Sequence, residues 1–396
     1  MGQPDLKIRG FVGAAVPSGQ KRDGEPDLAL LFSEREAVGA GVFTTNKVRA
    51  APVLLSEAHI QDAKVRAIVA NSGIANACTG DAGLTDAKKT ADLASKALDV
   101  PIEEILVAST GVIGSPLNMT GIHNVFPNLV TALTPEGIGE VAQAIMTTDS
   151  FPKISRFEGK AGMTPYSILG IAKGAGMIMP NMATMLAFIM TDLSIDGDPL
   201  REGVLIAVGK SFNRITVDGD TSTNDMVLVL ANGAARNGPL SPGAYKEFVN
   251  GLGKVMEDLS RMIVEDGEGA TKTVEIRVKG AFAENEALLA AKTVANSNLV
   301  KTALYGEDPN WGRIMAALGR SEITMVENEV DIWIDNVKIV SGGLGEGAAA
   351  EEQAKERMKD KAYSITIELH QGVFEDRMLT SDLTHEYIDI NADYRT

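Results

Sequence analysis

The sequence predicts an α+β protein of layered sheets with helices packed outside them. Three observations carry that expectation. Apolar runs of strand length recur and end in small or polar clusters, as 65–70 does at Asn71-Ser72-Gly73 and 105–108 does at Ser109-Thr110-Gly111. Segments with apolar residues at helical spacing alternate with those runs. Glycine is frequent, 40 of 396 residues, which implies many turns and close backbone approaches.

Taken in order, 65–70 and 105–108 read as strands with a helix over 85–98 between them, Asp86 near its start. A similar helical pattern covers 135–146. The apolar run 182–190 is strand-length and far too short for a bilayer. Residues 226–231 read as a buried strand and 242–258 as an amphipathic helix. Period-two alternation returns at 273–278, 330–334 and 363–369, and a charged surface helix over 348–361 separates the last two.

Composition narrows the function classes. Lys and Arg total 37 against 53 Asp and Glu, a net charge of −16, and 44% of residues are hydrophobic. That supplies a sizeable core and argues against a broad nucleic-acid surface. One cysteine, Cys78, excludes an internal disulfide framework, and it reads as a buried small residue. Four scattered histidines show no ligand spacing, so no metal is expected. The start of the chain has neither a secretory signal nor a myristoylation signal, which reads as cytoplasmic.

The most informative stretch runs from Lys173 to Asp192. Gly174 and Gly176 relax the backbone, Pro180-Asn181 suggests a strained bend, and Ala183 precedes Thr184 at the opening of an apolar run. On spacing alone Thr184 is a β-branched residue of a core strand. The alternative is a self-cleaving precursor. The Thr184 hydroxyl attacks the Ala183 carbonyl, the peptide becomes an ester, and hydrolysis leaves Thr184 with a free α-amine as its own base. Thr110 and Gly111 follow a buried run, where hydroxyl and N–H donors could meet a developing oxyanion. Lys173 suits an α-carboxylate and Glu268 an ammonium.

The stretch resembles the autocleavage segment of the glutamate N-acetyltransferase family, also called ornithine acetyltransferase. The likeness runs nearly end to end. It includes Gly41-Val-Phe-Thr-Thr-Asn46, Ala50-Ala-Pro-Val53, Ser109-Thr-Gly-Val-Ile-Gly114 and Met146-Thr-Thr-Asp149. Farther on come Asp218-Gly-Asp-Thr-Ser-Thr-Asn-Asp225, Glu265-Asp-Gly-Glu-Gly-Ala-Thr-Lys272, Asp308-Pro-Asn-Trp-Gly-Arg313 and Ile390-Asn-Ala-Asp-Tyr-Arg-Thr396.

The resemblance implies an αββα sandwich like that of N-terminal-nucleophile hydrolases, with a smaller C-terminal lobe from about residue 281. It implies cleavage between Ala183 and Thr184 into chains 1–183 and 184–396, assembled as a heterotetramer of two chain pairs. It implies an acetyltransferase of arginine biosynthesis, moving acetyl from N2-acetylornithine to glutamate through Thr184, without cofactor or metal. Acetyl-CoA is a co-substrate in bifunctional members. Thr110 and Gly111 take the oxyanion role. Thr148 (chosen over Thr147), Lys173, Thr184, Glu268, Asn391 and Thr396 take the substrate contacts.

Two rival readings stand beside this one. A self-processing amidohydrolase or aminopeptidase on the same fold would use water in place of glutamate. A dinucleotide site would use Gly343, Gly345 and Ala348. Against that site, Glu346, Glu351 and Glu352 would repel a pyrophosphate, and the strand at 363–369 alternates like a half-exposed antiparallel strand. Asp308 and Arg313 either line the pocket or, as preferred here, support the fold by pairing with each other.

Overall fold

The structure, a computed structural model, describes residues 6–21, 24–179 and 185–393. Ala183, Thr184 and Thr396 lie outside the described residues, and so does the bond between the first two. The first half of the chain carries β1 (Phe11–Val16), β2 (Leu28–Phe43), α1 (Ala51–His59), β3 (Lys64–Asn71), α2 (Gly80–Leu98) and β4 (Ile105–Ser109). It continues through α3 (Met119–Thr131), α4 (Ile138–Ala144), β5 (Lys153–Ala161) and β6 (Thr164–Lys173). Beyond residue 184 come β7 (Leu186–Thr191), α5 (Gly197–Lys210), β8 (Ile215–Thr216), β9 (Met226–Ala231), α6 (Pro242–Glu265) and β10 (Thr273–Ala281). The remainder is α7 (Glu284–Ala295), α8 (Asn298–Tyr305), α9 (Trp311–Gly319), β11 (Asp331–Ile334), β12 (Val337–Ser341), β13 (Leu344–Gly345), α10 (Ala348–Met358), β14 (Ala362–Glu368), β15 (Phe374–Ser381) and α11 (His385–Asp393).

The αββα layering follows from where alternate side chains go. Strands β1 to β7 and β9 form one hydrogen-bonded sheet, ordered β4-β3-β2-β9-β7-β6-β5 with β1 also on β2. Strand β2 bends it into two layers. Its start pairs with β1 and β3, its end with β9, and the register shifts between Phe32 and Ala37 across the polar run Ser33-Glu-Arg-Glu36. Leu106 and Ala108 of β4 share a core with Phe188 and Met190 of β7 and Leu228 and Leu230 of β9, so two layers pack face to face. On one outside, Ile105 and Val107 meet Ala91 of α2 and Phe126 of α3. On the other, Ile189 and Val229 meet Val204 of α5 and Leu252 and Leu259 of α6. Both faces of each central strand are thus buried, which is why these strands read as continuous apolar runs.

A second sheet, ordered β13-β12-β11-β14-β10-β15-β8, forms the C-terminal lobe. Its helices cover one face, with Ala291 of α7, Ile314 of α9 and Met358 of α10 packed against Ile276, Ile332 and Ile365. Strand β10 lies inside this sheet, and β8 borrows residues from the loop after α5.

Several local expectations change. Helix α6 runs seven residues past 258, and α2 starts at Gly80 rather than 85. Strand β14 alternates as expected but runs parallel to β10 and antiparallel to β11. The alternation reports that helices cover one face of this sheet, and says nothing about strand direction. Gly342 and Gly343, at φ +54° and +75°, turn β12 back into the antiparallel strand β13. The glycine run is therefore a hairpin, unlike the strand-to-helix loop of a dinucleotide site. Cys78 is exposed, not buried: it sits at φ +55° in the turn entering α2. Arg313 gives Nη1 to the Leu299 carbonyl (2.8 Å) and the Thr302 hydroxyl (3.2 Å), not to Asp308. Asp308 instead accepts from Asn310 Nδ2 (3.0 Å), whose own oxygen caps α9. The block supports the lobe, as preferred, but through different partners.

Candidate active site

The site lies where both layers of the sandwich end. Parallel neighbours β3 and β4 finish together at Asn71 and Ser109, and their following loops are knotted by polar side chains. Ser109 Oγ donates to Asn71 Oδ1 (2.6 Å), and Asn71 Nδ2 donates to the Ile74 carbonyl (2.8 Å). Asn224, just ahead of β9, gives Nδ2 to the Ala75 carbonyl (2.6 Å) and the Ser109 carbonyl (2.9 Å). These bonds fix Thr110 and Gly111 at the mouth of β4. Gly111 has φ +125°, and a Cβ there would meet the Gly73 carbonyl carbon at 2.3 Å, so only glycine fits.

From the second layer, β6 ends on Lys173, which is buried. Its Nζ donates to Thr110 Oγ1 (3.2 Å). Burial pulls the Lys173 ammonium below the ordinary lysine range, opposed by the charge of Asp149, assisted by Lys153, and opposed again by Glu268 and Asp225. Asp149 shows the converse balance. Burial pushes its carboxyl up, but the charges of Lys173 and Lys153 and the hydrogen bonds it accepts hold it below the ordinary range.

Glu268 sits in the loop between α6 and β10, buried, with its N–H given to the Ala175 carbonyl (3.0 Å). Gly176 makes room for it: a Cβ there would come within 2.3 Å of the Glu268 carboxyl carbon. Helix α11 closes over the top. Asn391 Nδ2 donates to Glu268 Oε2 (2.7 Å), and the Tyr387 hydroxyl donates to Asp218 Oδ2 (3.3 Å). Asp218 also accepts the Met177 N–H (2.6 Å) and the Ile178 N–H (2.9 Å), and burial pushes its carboxyl up against those bonds.

Together these segments enclose a cavity of about 180 Å³. Thr110, Gly111, Thr148, Lys173, Glu268 and Asn391 all line it, and Thr147 stands beside Thr148. Lys173 and Glu268 are buried wall residues of this cavity. No residue of the Asp308–Arg313 block is among the lining residues. Asp218, Asp220, Ser222, Thr223, Asn224 and Tyr387 also line the cavity, although the sequence reading gave none of them a role in the site. The signal for most of them was present: 218–225 holds seven polar residues and one glycine directly ahead of the wholly apolar β9. Among the described residues, no group of three or more His, Cys, Asp or Glu side chains is arranged to hold a metal. No described helix is long and apolar enough to cross a membrane.

Comparison with known proteins places the chain in a family. The family model described as ArgJ family matches residues 13–396. The arginine biosynthesis bifunctional protein ArgJ of Geobacter sulfurreducens is 48% identical over 393 residues, covering 99% of this chain and 100% of the relative. The protein of the same name from Syntrophotalea carbinolica is 49% identical over 394 residues, covering 99% and 100%. A crystal structure of arginine biosynthesis bifunctional protein ArgJ from Bacillus halodurans superposes with a TM-score of 0.51 at 42% identity. It covers 53% of this chain and 100% of that one. With near-half identity sustained across the full length of such relatives, this chain belongs to the ArgJ family.

Proposed function

We propose that this acyltransferase of arginine biosynthesis moves acetyl from N2-acetylornithine to glutamate through an ester on Thr184. The observation that carries the reading is the cavity itself. Residues as far apart in sequence as Thr110 and Asn391 converge on one small polar chamber. Its cation is a buried lysine, and its carboxylates suit an amino-acid ammonium.

The Thr184 hydroxyl, deprotonated by its own α-amine, adds to the N-acetyl carbonyl. Thr110 Oγ1–H and Gly111 N–H receive the oxyanion. The C–N bond breaks, the proton passes to the leaving nitrogen, and ornithine departs. The α-amine of glutamate then attacks the ester and regenerates Thr184. Gly111 N–H is free for this task, having no hydrogen-bond partner among the described residues. Lys173, Thr148, Glu268, Asn391 and Thr396 contact the amino-acid parts of the substrate.

Thr184 is exposed as an N-terminus by cleavage after Ala183, giving chains of 183 and 213 residues. The Bacillus halodurans chain, matched over its whole length by 53% of this one, has the size of the longer product. The C-terminal lobe belongs to that product, and because β10 is one of its strands it begins near residue 273 rather than 281. Two chain pairs assemble as a cytoplasmic heterotetramer, and acetyl-CoA serves as a second acetyl donor, in keeping with the name of the relatives.

Intact mass spectrometry tests the core of this reading. Two chains are expected, the longer gaining one acetyl group on brief exposure to N-acetylornithine, and Thr184→Ala is expected to remain a single chain. Cleavage of Thr184→Ala at the same bond, or acetate released at full rate without glutamate, overturns it.

A further inference from the structure

A buried chain of charges outside the roles above joins three walls of the cavity. Asp149, fully buried, accepts the Thr147 N–H on Oδ2 (3.0 Å) and the Gly174 N–H on Oδ1 (2.6 Å). Lys153, also fully buried, donates Nζ to Asp149 Oδ1 (2.7 Å) and to Asp266 Oδ2 (2.5 Å). Asp266 accepts the Ser150 N–H (2.9 Å) and stands two residues before Glu268. One Asp–Lys–Asp chain therefore fixes the segments bearing Thr147 and Thr148, Lys173 and Gly174, and Glu268. Three buried charges cost far too much desolvation to serve as a cheap fastener, since apolar residues would pack as well.

Their position beside Lys173 supplies a reason. An ammonium only donates, so the Lys173 Nζ that rests on Thr110 Oγ1 occupies the oxygen as acceptor. The Thr110 hydroxyl hydrogen must then point elsewhere, and no acceptor takes it among the described residues. The open side is the cavity. We propose that Asp149 is a positioning residue for acyl transfer: by accepting the Gly174 N–H it anchors the backbone next to Lys173, without an ion pair to it, keeping Lys173 on Thr110 so that the Thr110 hydrogen is aimed at the reacting carbonyl oxygen. The proposal rests on the reading of Thr110 as oxyanion donor. Burial opposes the ammonium form of Lys173, and so does the charge of Lys153, whereas the charges of Asp149, Glu268 and Asp225 favour it.

The test is a double-mutant cycle on the whole protein with N-acetylornithine and glutamate. Asp149→Asn keeps the shape and one acceptor but removes the charge. It is expected to lower kcat by about 10²-fold and to raise KM by a much smaller factor, because the interaction with Thr110 is made in the transition state whereas Lys173 also meets the bound substrate. Its alkaline limb in the kcat profile should move to lower pH, because Lys173 loses a counter-charge. In a Thr110→Ala background the same substitution should cost less than about threefold, since both act through one hydrogen bond. If Asp149→Asn fails to fold, Asp149→Asn with Lys153→Met keeps the charge balance and is read on the same cycle. Unchanged kcat, or an equal loss with and without Thr110, overturns the proposal while acetyl-Thr184 still forms. Wild-type protein that forms no acetyl-Thr184 overturns the parent reading together with it.

Discussion

At the scale of single residues, the cavity depends on atoms that are missing as much as on those present. Gly176 is the clearest case, because a methyl group there would collide with the carboxyl end of Glu268. That end is the tip of a flexible side chain, so Gly176→Ala can be absorbed by turning Glu268 aside, and the fold should survive. The cost falls on binding. Displaced from Asn391 and from the substrate ammonium, Glu268 should lose a contact made equally in ground and transition states. KM for N-acetylornithine is expected to rise roughly tenfold, about 1.4 kcal/mol, with kcat nearly unchanged. Steady-state kinetics on the variant check this, and an unchanged KM would show that Glu268 does not meet the substrate.

At the scale of elements, α11 is the exception in a molecule of buried helices. It buries no residue and is held by polar ties: Asn391 on Glu268, Tyr387 on Asp218, and Thr384 Oγ1 on the Gly269 carbonyl (2.8 Å). An element so attached belongs to the low-stability end of the fold, where ligand-closing parts are found. Asn391→Ala should therefore raise KM for N-acetylornithine while self-cleavage, which needs no substrate, continues. Kinetics beside a denaturing gel separate the outcomes, and loss of cleavage would make α11 a structural element instead.

The same helix marks how far the sequence could be read. Strands β3, β4 and β9 were legible because burial on both faces leaves apolar runs with polar ends. The partners across those ends were not. Nothing local in Tyr387 says that it reaches Asp218, a contact 169 positions away that only the return of the chain creates. Cys78 misled for the opposite reason. Its small neighbours suggest a core, yet a left-handed turn leaves it exposed. Lys173 and Glu268 were recognisable through the resemblance, while their burial, which shapes the chemistry, is a tertiary fact.

At the scale of the whole molecule, the order of strands constrains what self-cleavage can do. Strands β2 to β6 precede residue 184, whereas β7 and β9 follow it. Yet β7 and β9 sit in the middle of the sheet, with β6 hydrogen-bonded to one side of the pair and β2 to the other. The inner core and the outer core under α5 and α6 mix the two segments, Leu106 with Phe188 in the first and Ile168 with Leu252 in the second, while the core under α2 and α3 is built from the first segment alone. Cutting one peptide bond there leaves each of these described ladders in place. Pulling the products apart would break two ladders and expose apolar surface at about 25 cal/mol per Å². The cleaved protein should therefore co-elute as one species in native size-exclusion chromatography and unfold in a single cooperative transition. The 183- and 213-residue chains should separate only in denaturant, and neither should fold when expressed alone. Recovery of either chain as a folded, soluble species would contradict the interleaved sheet. Two resolved unfolding transitions would show instead that the C-terminal lobe melts apart from the sandwich, a split that leaves β7 and β9 where they are.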